Sequence, residues 1–566
     1  MKRPRGLLLL VLFACAATTG TIGTSSNSGA QPRTSVTNPT SPTSPTSPAP
    51  PALAVLLIID GLPMHQVTGY RGQLVPGGFR RFLDEGAWFA NAHYGYALTA
   101  TAPGHATIVT GAQPRTHGII ANEWVDPASG SRVYCAGDPA YQYIGHPTRP
   151  GDGTSPKNLR MDTIGDVLLR TSPASRVIAL SGKDRGAILP AGRRGTAYMY
   201  MGSTGQFAST TWYMTAHPAW VDAFHAGRPA DAYLGRAWLP LLADDAYRGS
   251  AGYDQPWYAA PGHLPLRYGG ARPDAAFYGS LMLGPFADEL TLAFARAAIA
   301  GENLGGRGVT DLLAISLSGH DYVNHSYGAE SRLSHDHVLH LDRMLAAFFG
   351  HLDQTLGRGN YIAALTADHG FSPVPEWNRK AGRDGGRIDP RGLLGRVEGA
   401  LVRNHGAGPW IAGFSANGML LRRDTIAARG LALDALARET AAQVAAEPGI
   451  ATAMARADIA AAAAAGKPFG AAVARSFDAE RSPDLMLVPK PGWFLGSGAA
   501  GTTHGSPHEY DSHVPVMFYG AGRIGAARLE ERIDLIDLAP TLARLLGIDA
   551  PAGAEGRARA LPGLEK

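Results

Sequence analysis

The chain has 566 residues, enough to bury one large hydrophobic core or two ordinary ones. Its composition is typical of a globular enzyme: 45% of the residues are hydrophobic, 17% are charged, and 71 Gly with 41 Pro indicate many loops. The formal net charge is +4, but Lys2, Arg3 and Arg5 belong to a predicted removable leader. The remaining chain is nearly neutral and gives no reason to expect a nucleic-acid partner.

The first 15 residues have the features of an export signal. A basic start precedes an apolar run at positions 7–14, which is too short to span a bilayer permanently. Cys15 follows Leu-Phe-Ala, which is similar to a bacterial lipoprotein cleavage box, and a non-lipidated signal peptide cleaved slightly later is the alternative. In both cases we expect an exported protein, periplasmic or on the outer surface, with a lipid anchor on Cys15 in the first case.

Residues 16–51 are rich in Ser, Thr and Pro and include the repeat TSPTSPTSP at positions 40–48. Such a stretch buries little apolar surface, so it predicts a disordered tether. The folded domain is then expected to cover residues 52–566. Cys135 is the only cysteine outside the leader, so no intramolecular disulfide is expected.

Five short, continuous apolar runs in the folded part predict buried parallel strands. They are LAVLLII at 53–59, RVIALS at 176–181, LLAISLS at 312–318, YIAALT at 361–366 and VPVMFYG at 514–520. Between them, apolar residues at helical spacing, such as Val338, Leu341 and Leu345, predict amphipathic helices. This alternation favours an α/β fold with a mostly parallel central sheet and helices on both faces.

Two stretches interrupt this alternation and are predicted to be insertions. Residues 187–300 are rich in aromatic residues, Gly and Pro, which predicts a cap packed near the mouth of the site. Residues 389–480 form the second insertion and end in an Ala-rich helical stretch. Neither composition assigns a function to its stretch.

Acidic residues and histidines follow several of the predicted strands. Asp60 ends the run at 53–59, and Asp368 with His369 ends the run at 361–366. Asp321 and His325 are four residues apart, so they share one face if their segment is helical. Open α/β sheets place their sites at the carboxyl ends of strands, and zinc accepts Asp and His ligands where thiolates are absent. The pattern predicts a site for two metal ions, an arrangement suited to phosphoryl transfer.

Two further segments offer a ligand and a nucleophile. In GTTHGSPHEYDSH the candidate ligand is His504, with His508 and His513 as alternatives. The segment TATAPGHATIVTG offers a threonine nucleophile that a metal could activate. Its spacing alone does not select among Thr99, Thr101, Thr107 and Thr110. A helix starting at Pro103 and Gly104 would direct its N-terminal amides towards a phosphoryl group.

Longer motifs add a family resemblance. The chain contains TAPGHATIVTG, HGIIANEW, SGKDRGA, DYVNHSYG, ADHG and THGSPHEYDSHVP in this order, and DLIDLAPTLARLLGI follows them. Together with the Asp60-Gly61 pair near the start, they resemble the alkaline phosphatase superfamily, and the resemblance extends over residues 53–550. Within it, the chain looks like the bacterial, phosphate-irrepressible (PafA-type) zinc phosphomonoesterases that use a threonine nucleophile.

This resemblance implies a role for each candidate residue. It implies two Zn²⁺ ions, one bound by Asp321, His325 and His504, the other by Asp60, Asp368 and His369, with Thr101 as the nucleophile on the second. Asn122 would donate its amide to a phosphoryl oxygen, and Lys183 with Arg185 would hold the remaining non-bridging oxygens. Asn324 stands where the family usually has Gly, which puts no ligand in doubt.

The implied function is an exported phosphomonoesterase that forms a phosphothreonine intermediate on Thr101. Its partners would be small-molecule phosphate monoesters, and a monomer is the expected state. One alternative is a phosphodiesterase or nucleotide pyrophosphatase on the same scaffold, which would have no use for the Lys183 and Arg185 pair. The other is a non-catalytic surface protein that binds metal or glycan through the aromatic insertion, which would need no nucleophile.

Overall fold

The computed structural model describes residues 50–564, so the predicted leader and all but the last two residues of the predicted tether lie outside it. The described residues form twenty strands and nineteen α-helices. In chain order the strands are β1 (Leu53–Ile59), β2 (Ala87–His93), β3 (Glu123–Val125), β4 (Arg132–Tyr134), β5 (Tyr143–Ile144), β6 (Val177–Ser181), β7 (Thr196–Met201), β8 (Gln206–Thr210), β9 (Ala237–Trp238), β10 (Leu266–Arg267), β11 (Asp311–Leu317), β12 (Tyr361–Thr366), β13 (Gly386–Ile388), β14 (Ile411–Ser415), β15 (Gly418–Leu421), β16 (Ile450–Ala455), β17 (Leu485–Pro489), β18 (Trp493–Leu495), β19 (Val516–Tyr519) and β20 (Ala527–Asp534).

The helices connect these strands. In chain order they are α1 (Met64–Gly69), α2 (Phe79–Glu85), α3 (Thr101–Thr110), α4 (Pro114–His117), α5 (Ile164–Thr171), α6 (Asp184–Ala191), α7 (Ala219–Ala226), α8 (Ala275–Ser280), α9 (Pro285–Glu302), α10 (Gly319–Tyr327), α11 (Arg332–Thr355), α12 (Pro375–Lys380), α13 (Pro390–His405), α14 (Arg423–Ala428), α15 (Leu433–Ala445), α16 (Ile459–Ala464), α17 (Gly470–Ser476), α18 (Glu509–Ser512) and α19 (Leu538–Leu546).

A ten-stranded sheet forms the centre of the fold, in the order β20-β2-β19-β12-β1-β11-β6-β7-β8-β5. At its middle, β1 pairs in parallel with β11 and β12, and β11 pairs in parallel with β6. Every residue of β1, β11 and β12 is buried. Because successive side chains of a strand point to opposite faces, helices must cover both faces of the sheet. They pack in two groups, one containing α3, α6 and α19 and the other α9, α10 and α11.

Four of the five predicted apolar runs are parallel strands of this sheet: β1, β6, β11 and β12. The fifth forms β19, which pairs antiparallel with both β12 and β2, so the prediction of a parallel strand there is wrong. An apolar run indicates burial on both faces but carries no information about direction. β19 begins beside the carboxyl end of β12, so it has to run in the direction opposite to β12.

The predicted first insertion, residues 187–300, is only partly inserted. Its β7 and β8 extend the central sheet, and its α9 packs against β11. Most of its aromatic residues join the main hydrophobic core, as Tyr198 does by packing edge-on against Trp220 and Phe294. The search for continuous apolar runs missed β7 and β8, whose sequences TAYMYM and QFAST mix polar with apolar residues.

A second unit forms within residues 386–495 and contains the predicted insertion at 389–480. Its four strands form an antiparallel sheet in the order β14-β15-β17-β16, with α13 and α15 beside it. It has a hydrophobic core of its own, which includes Leu393, Val397, Trp410, Met419 and Leu436. This unit therefore has a local source of stability separate from the main core.

The described residues offer neither a membrane span nor a disulfide. No helix within residues 50–564 combines the length and apolar character that crossing a bilayer requires. Cys135 is buried and free. Burial raises the pKa of its thiol to about 12, so the thiol stays protonated at neutral pH.

Candidate active site

Three neighbouring parallel strands end at one edge of the sheet in acidic residues or histidine. Asp60 follows β1, Asp321 lies in the first turn of α10 after β11, and Asp368 with His369 follows β12. The register of β1 with β11 and β12 aligns these three ends. Strand pairing therefore brings together residues that lie up to about 300 positions apart in the chain.

The first ligand group consists of Asp321, His325 and His504. The Oδ1 atom of Asp321 lies 3.3 Å from Nε2 of His325 and 3.7 Å from Nε2 of His504. One ligand atom from each residue lies within 4.8 Å of the others. Asp321 and His325 share a face of α10, as their four-residue spacing predicts, and His504 comes from the loop before α18.

The second group consists of Asp60, Asp368 and His369, all fully buried. The Nε2 atom of His369 lies 3.5 Å from Asp60 Oδ1 and 3.5 Å from Asp368 Oδ2. It also lies 4.0 Å from Oδ1 of Asp321 in the first group. The two groups are therefore direct neighbours.

The three histidines of these groups share one hydrogen-bonding pattern. Each Nδ1 lies 2.8–2.9 Å from a backbone carbonyl oxygen, which only a protonated Nδ1 can satisfy as a donor: His325 to Thr502, His369 to Gly370 and His504 to Thr99. In a neutral imidazole, a proton on Nδ1 leaves the Nε2 lone pair available. All three Nε2 atoms face the carboxylates of the cluster, so backbone contacts select the tautomer that binds metal.

Several buried atoms of the cluster lack a hydrogen-bond partner among the described residues. They are Asp60 Oδ1, Asp321 Oδ1, Asp368 Oδ2 and His369 Nε2. Buried polar atoms without a partner cost free energy, and a shared cation would remove that cost. Ligands bound at about 2 Å to a tetrahedral zinc ion are separated by about 3.3 Å, close to the observed spacings. The residues of both groups therefore fit a bound metal ion.

The alternative histidines and threonines that the sequence left open have other hydrogen-bond partners in the structure. His508 and His513 each place Nε2 against a backbone carbonyl outside the cluster. Thr99 and Thr110 donate their hydroxyls to backbone carbonyls, and Thr107 contacts a tyrosine hydroxyl. The histidine and threonine that remain are the two indicated by the family resemblance.

Lys183 lies between the two ligand groups. It caps α6 directly after β6, and its Nζ lies 2.7 Å from Oδ2 of Asp60 and 2.5 Å from Oδ2 of Asp321. Burial alone would lower the pKa of the ammonium group, but these two carboxylates outweigh burial and raise it. Lys183 is therefore a permanent positive charge at the junction of the two groups.

The three carboxylates respond differently to the same burial. Burial and the neighbouring Asp368 raise the pKa of Asp60 well above its usual value, against the opposing effect of Lys183. For Asp321 burial acts in the same direction, but His325 and Lys183 outweigh it and hold its pKa well below the usual range. The pKa of Asp368 is likewise lowered against burial, chiefly by His369. Neighbouring buried carboxylates whose pKa values are shifted in opposite directions are typical of a functional site.

Arg185 extends the positive region two residues further, in the first turn of α6. Its Nη1 donates to the hydroxyl of Tyr134 at 3.4 Å, while its Nε is buried without a partner among the described residues. Burial opposes its charge, yet Tyr134 and Asp184 raise its pKa above the usual value. A fixed guanidinium with a buried donor still to satisfy is suited to hold an anion.

Thr101 is the first residue of α3, and this helix lies directly against Asp368. A Cβ atom placed on Gly104 would come within 2.2 Å of the Asp368 carbonyl oxygen, so only glycine permits this approach. His105 Nδ1 lies 3.3 Å from the Asp368 carboxylate and 2.8 Å from the Thr101 carbonyl oxygen. The packing of α3 thus holds Thr101 beside the second ligand group.

Asn122 joins the site through the same helix. Its Oδ1 accepts a hydrogen bond from the Ala102 amide at 2.8 Å, so the group that it can offer an anion is its Nδ2 amide. The helix begins at Thr101, not at Pro103 as expected from the sequence. Because Pro103 has no amide hydrogen and Gly104 already donates to Ala100, anion binding here depends on side chains more than on helix amides.

The turn between β14 and β15 of the second unit also reaches the site, which no sequence pattern indicated. Asn417 Nδ2 donates to the carbonyl oxygen of Gly505, the residue after His504, at 2.8 Å. Ser415 Oγ accepts from the amide of Val125, in the strand that follows Asn122. Ala416 and Asn417 both have positive φ, at 45° and 55°. The one available signal was the Ala-Asn-Gly turn sequence, which predicts a hairpin but not its neighbour.

Comparison with known proteins agrees with this geometry. The family model for type I phosphodiesterase / nucleotide pyrophosphatase matches residues 54–511. The chain is 34% identical to alkaline phosphatase PhoV of Synechococcus elongatus, over 89% of this chain and 92% of that protein. It is 32% identical to alkaline phosphatase PafA of Elizabethkingia meningoseptica, over 89% of this chain and 93% of that protein.

The fold also matches that of a solved alkaline phosphatase. The crystal structure of wild-type alkaline phosphatase PafA superimposes with a TM-score of 0.84 at 31% identity, covering 91% of this chain and 99% of that one. The chain therefore belongs to the type I phosphodiesterase / nucleotide pyrophosphatase family, within the alkaline phosphatase superfamily.

Proposed function

We propose that this protein is an exported, zinc-dependent phosphomonoesterase, an alkaline phosphatase. The observation that carries the proposal is the position of the Lys183 ammonium, which contacts one carboxylate of each ligand group. An anion held by this lysine would lie next to both groups at once. The names of the relatives PhoV and PafA, both alkaline phosphatases, support the same activity.

The two ligand groups would hold one zinc ion each. Asp321, His325 and His504 would bind the first, and Asp60, Asp368 and His369 the second. When bound, the two ions would supply Lewis-acid stabilisation to the attacking and leaving oxygens and lower the pKa of the nucleophilic hydroxyl. Zinc suits these sites because all six ligands are histidine nitrogens or carboxylate oxygens.

The protein side chains would position the phosphoryl group for two in-line displacements. Thr101 Oγ1, having lost its proton to water, would form a bond to phosphorus while the bond to the leaving oxygen breaks. That oxygen would take up a proton from water, which gives phosphothreonine and the free alcohol. A water molecule would then attack phosphorus while the bond to Thr101 breaks, and a proton would return to Thr101 Oγ1 as inorganic phosphate is released. Lys183, Arg185 and the Asn122 amide would hold the non-bridging oxygens throughout and offset their charge.

Lys183 and Arg185 favour monoesters over diesters. A monoester is a dianion with three non-bridging oxygens, whereas a diester has one negative charge and two such oxygens. Two buried cations beside the ligand groups match the dianion better, because each exposed oxygen charge can pair with a donor. A phosphodiesterase, the activity that the family description also covers, would leave one of these cations without a partner.

Export is proposed from the leader at residues 1–15, which lies outside the described residues. With the predicted tether, it would place the enzyme in the periplasm or on the outer surface. Small phosphate monoesters would be its substrates, and their hydrolysis there would release phosphate for uptake. The nearly neutral charge of the mature chain is compatible with such small partners.

The proposal is tested by comparing kcat/KM of the mature, zinc-loaded protein on an aryl phosphate monoester and on the matching diester. We expect a monoester preference of several orders of magnitude. Arg185→Ala should reduce the monoester value by about 10²–10³-fold and the diester value much less. Arg523→Ala, which removes a half-buried guanidinium just beyond the far end of β19, serves as the matched control and should change neither.

A diester preference in the wild type would contradict the proposed function while leaving the two ligand groups in place. Equal losses on both esters in Arg185→Ala would mean that the arginine supports the fold and not the monoester dianion. Thermal unfolding of each variant, measured in parallel, separates these outcomes from simple misfolding.

A further inference from the structure

A cavity of about 380 Å³ opens beside Lys183 and Arg185. Its volume lies within the range of small-molecule sites, about 300–1,000 Å³. None of the six proposed metal ligands lines it. Apart from the two cations, its larger lining residues are aromatic or thioether side chains: Tyr143, Met199, Tyr200, Met201, Met282 and Tyr322. The cavity is therefore positive where it meets the ligand groups and largely neutral elsewhere.

Tyr322 occupies a special position in this cavity. It follows Asp321 on α10, and its ring centroid lies 5.2 Å from the Lys183 Nζ atom. Its side chain is 39% exposed, and the only other large hydrophobic residue so exposed within residues 50–564 is Leu239. Single exposed aromatic rings are common, but this one lies directly beside the cation proposed to hold the phosphoryl group. A group attached to that phosphoryl group would come within reach of the ring.

The charged groups around the cavity are not available to pair with a charged leaving group. Its one acidic lining residue, Asp184, already accepts hydrogen bonds from the Tyr134 hydroxyl and from the Arg185 amide. The Lys183 and Arg185 cations would both be paired with phosphoryl oxygens. What remains are tyrosine rings and methionine thioethers, which make favourable contacts with flat aromatic groups. The chemistry of the lining therefore favours a neutral, planar ring.

We infer that this cavity binds the leaving group of the substrate and that an aromatic leaving group stacks on Tyr322. The inference rests on the proposed function and adds the substrate class: phosphate monoesters whose alcohol carries a planar aromatic ring. Two kinds of alcohol share that chemistry, simple aryl alcohols and nucleosides. Tyr322 would act as a specificity-determining residue and would take no part in the bond changes at phosphorus.

The test compares esters that differ in aromaticity but have leaving groups of similar basicity. Benzyl phosphate is paired with cyclohexylmethyl phosphate, and a nucleoside 5′-monophosphate with ribose 5-phosphate. All four are esters of primary alcohols, so their intrinsic reactivity differs little. For each pair, kcat/KM is measured on the zinc-loaded wild type, and the preference within the pair is the readout.

Tyr322→Ala should lower kcat/KM for the aromatic member of a pair by about threefold to tenfold and leave the saturated member within about twofold. Tyr322→Phe keeps the ring and should retain the wild-type preference. Leu239→Ala is the matched control, because it removes the other exposed large side chain, which does not line the cavity. Inhibition by inorganic phosphate should be unchanged in all three variants, because phosphate carries no leaving group.

The outcomes distinguish this inference from the proposed function. If only the benzyl pair responds to Tyr322→Ala, the ring accepts aryl alcohols; if only the nucleoside pair responds, it accepts bases. Equal losses on all four esters, or a changed phosphate inhibition, would overturn the inference by showing that the ring merely supports Lys183. If the wild type hydrolyses all four esters without preferring the aromatic member of either pair, the leaving-group subsite is contradicted and the proposed function is not. The absence of turnover on every ester would overturn the proposed function and the subsite together.

Discussion

The central sheet and the second unit contribute to the site in opposite ways. The segments that directly follow the buried strands β1, β11 and β12 of the sheet supply five of the six metal-ligand candidates, and the segment after β6 supplies Lys183. The second unit supplies none of them, although it has its own sheet and its own core. It contacts the site through the turn between β14 and β15, where Asn417 holds the backbone next to His504.

The difference indicates which region carries the proposed catalytic groups and which region can adjust their surroundings. Residues at the ends of paired strands are fixed by many backbone hydrogen bonds, so they can keep buried charges in an otherwise unfavourable arrangement. A hairpin turn on a separately packed unit can shift without disturbing that arrangement. We therefore expect changes at the strand ends to abolish turnover, and changes in the second unit to tune it.

The largest effect is expected at the start of α3. Thr101→Ala removes the nucleophile and should lower kcat on a monoester by about 10⁴-fold or more, because the nucleophile and the positioned phosphoryl group act as a unit. Thr101→Ser keeps a hydroxyl and should retain most of the rate. Steady-state kinetics with a rapid acid quench, which traps the phosphorylated protein, measures both. A Thr101→Ala protein with full turnover would contradict the assignment of Thr101 as the nucleophile.

The next largest effect is expected at Lys183. Lys183→Ala removes a buried cation and leaves Asp60 and Asp321 unpaired, so kcat/KM on a monoester should fall by about 10²–10³-fold. Lys380→Ala, at an exposed lysine over the Trp257 ring, is the control and should have no effect on kinetics. Metal content should be measured for both variants, since a loss of bound zinc in Lys183→Ala would assign the effect to the ligand groups and not to the phosphoryl group.

The cores of the two regions should differ in their coupling to activity. Leu345→Ala in the main core and Leu436→Ala in the second unit each delete a buried side chain, at a cost of about 2–5 kcal/mol in unfolding free energy. Denaturant titrations followed by both fluorescence and activity measure the two losses. For Leu345→Ala the two signals should fall together. For Leu436→Ala we expect a partial fluorescence transition at a denaturant concentration that still permits activity, and a single coincident transition would show that the second unit has no independent stability.

The smallest effect is expected at the turn of the second unit. Asn417→Gly removes the hydrogen bond to Gly505 but keeps a residue that tolerates positive φ, so it isolates the contact from backbone strain. We expect kcat/KM to fall by about threefold to tenfold, because partners that orient ligands are worth at most about 10–100-fold. Ala416→Gly relieves the strained φ without removing that contact and should leave the rate within about twofold. If both substitutions are neutral, the turn is only a surface contact.

The ends of β1 and β12 could be predicted from the sequence because burial on both faces of a sheet produces a recognisable sequence pattern. The runs at 53–59 and 361–366 coincide with β1 and β12, since a strand covered on both sides must be apolar throughout. Asp60, Asp368 and His369 are then ligand candidates because they directly follow these runs. Asp321 and His325 were predictable for a different reason, because their spacing is that of one helix face.

The rest depends on contacts that local sequence does not encode. The direction of β19 is set by where the chain enters the sheet, and an apolar run reads the same in either direction. β7 and β8 escaped detection because their sequences mix polar and apolar residues. The hydrogen bond from Asn417 to Gly505 joins two loops 88 residues apart, and the sequence of neither loop indicates that the other is its neighbour.

The central claim is that two metal ions act together at the junction of the two ligand groups. Its most direct test is a titration of chelator-stripped, mature protein with Zn²⁺, in which bound zinc per chain and monoester turnover are followed together. We expect two zinc ions per chain and full turnover only after the second has bound. Asp321→Asn and Asp368→Asn should each lower the number of zinc ions bound per chain. Full turnover with one ion or with none would contradict the claim.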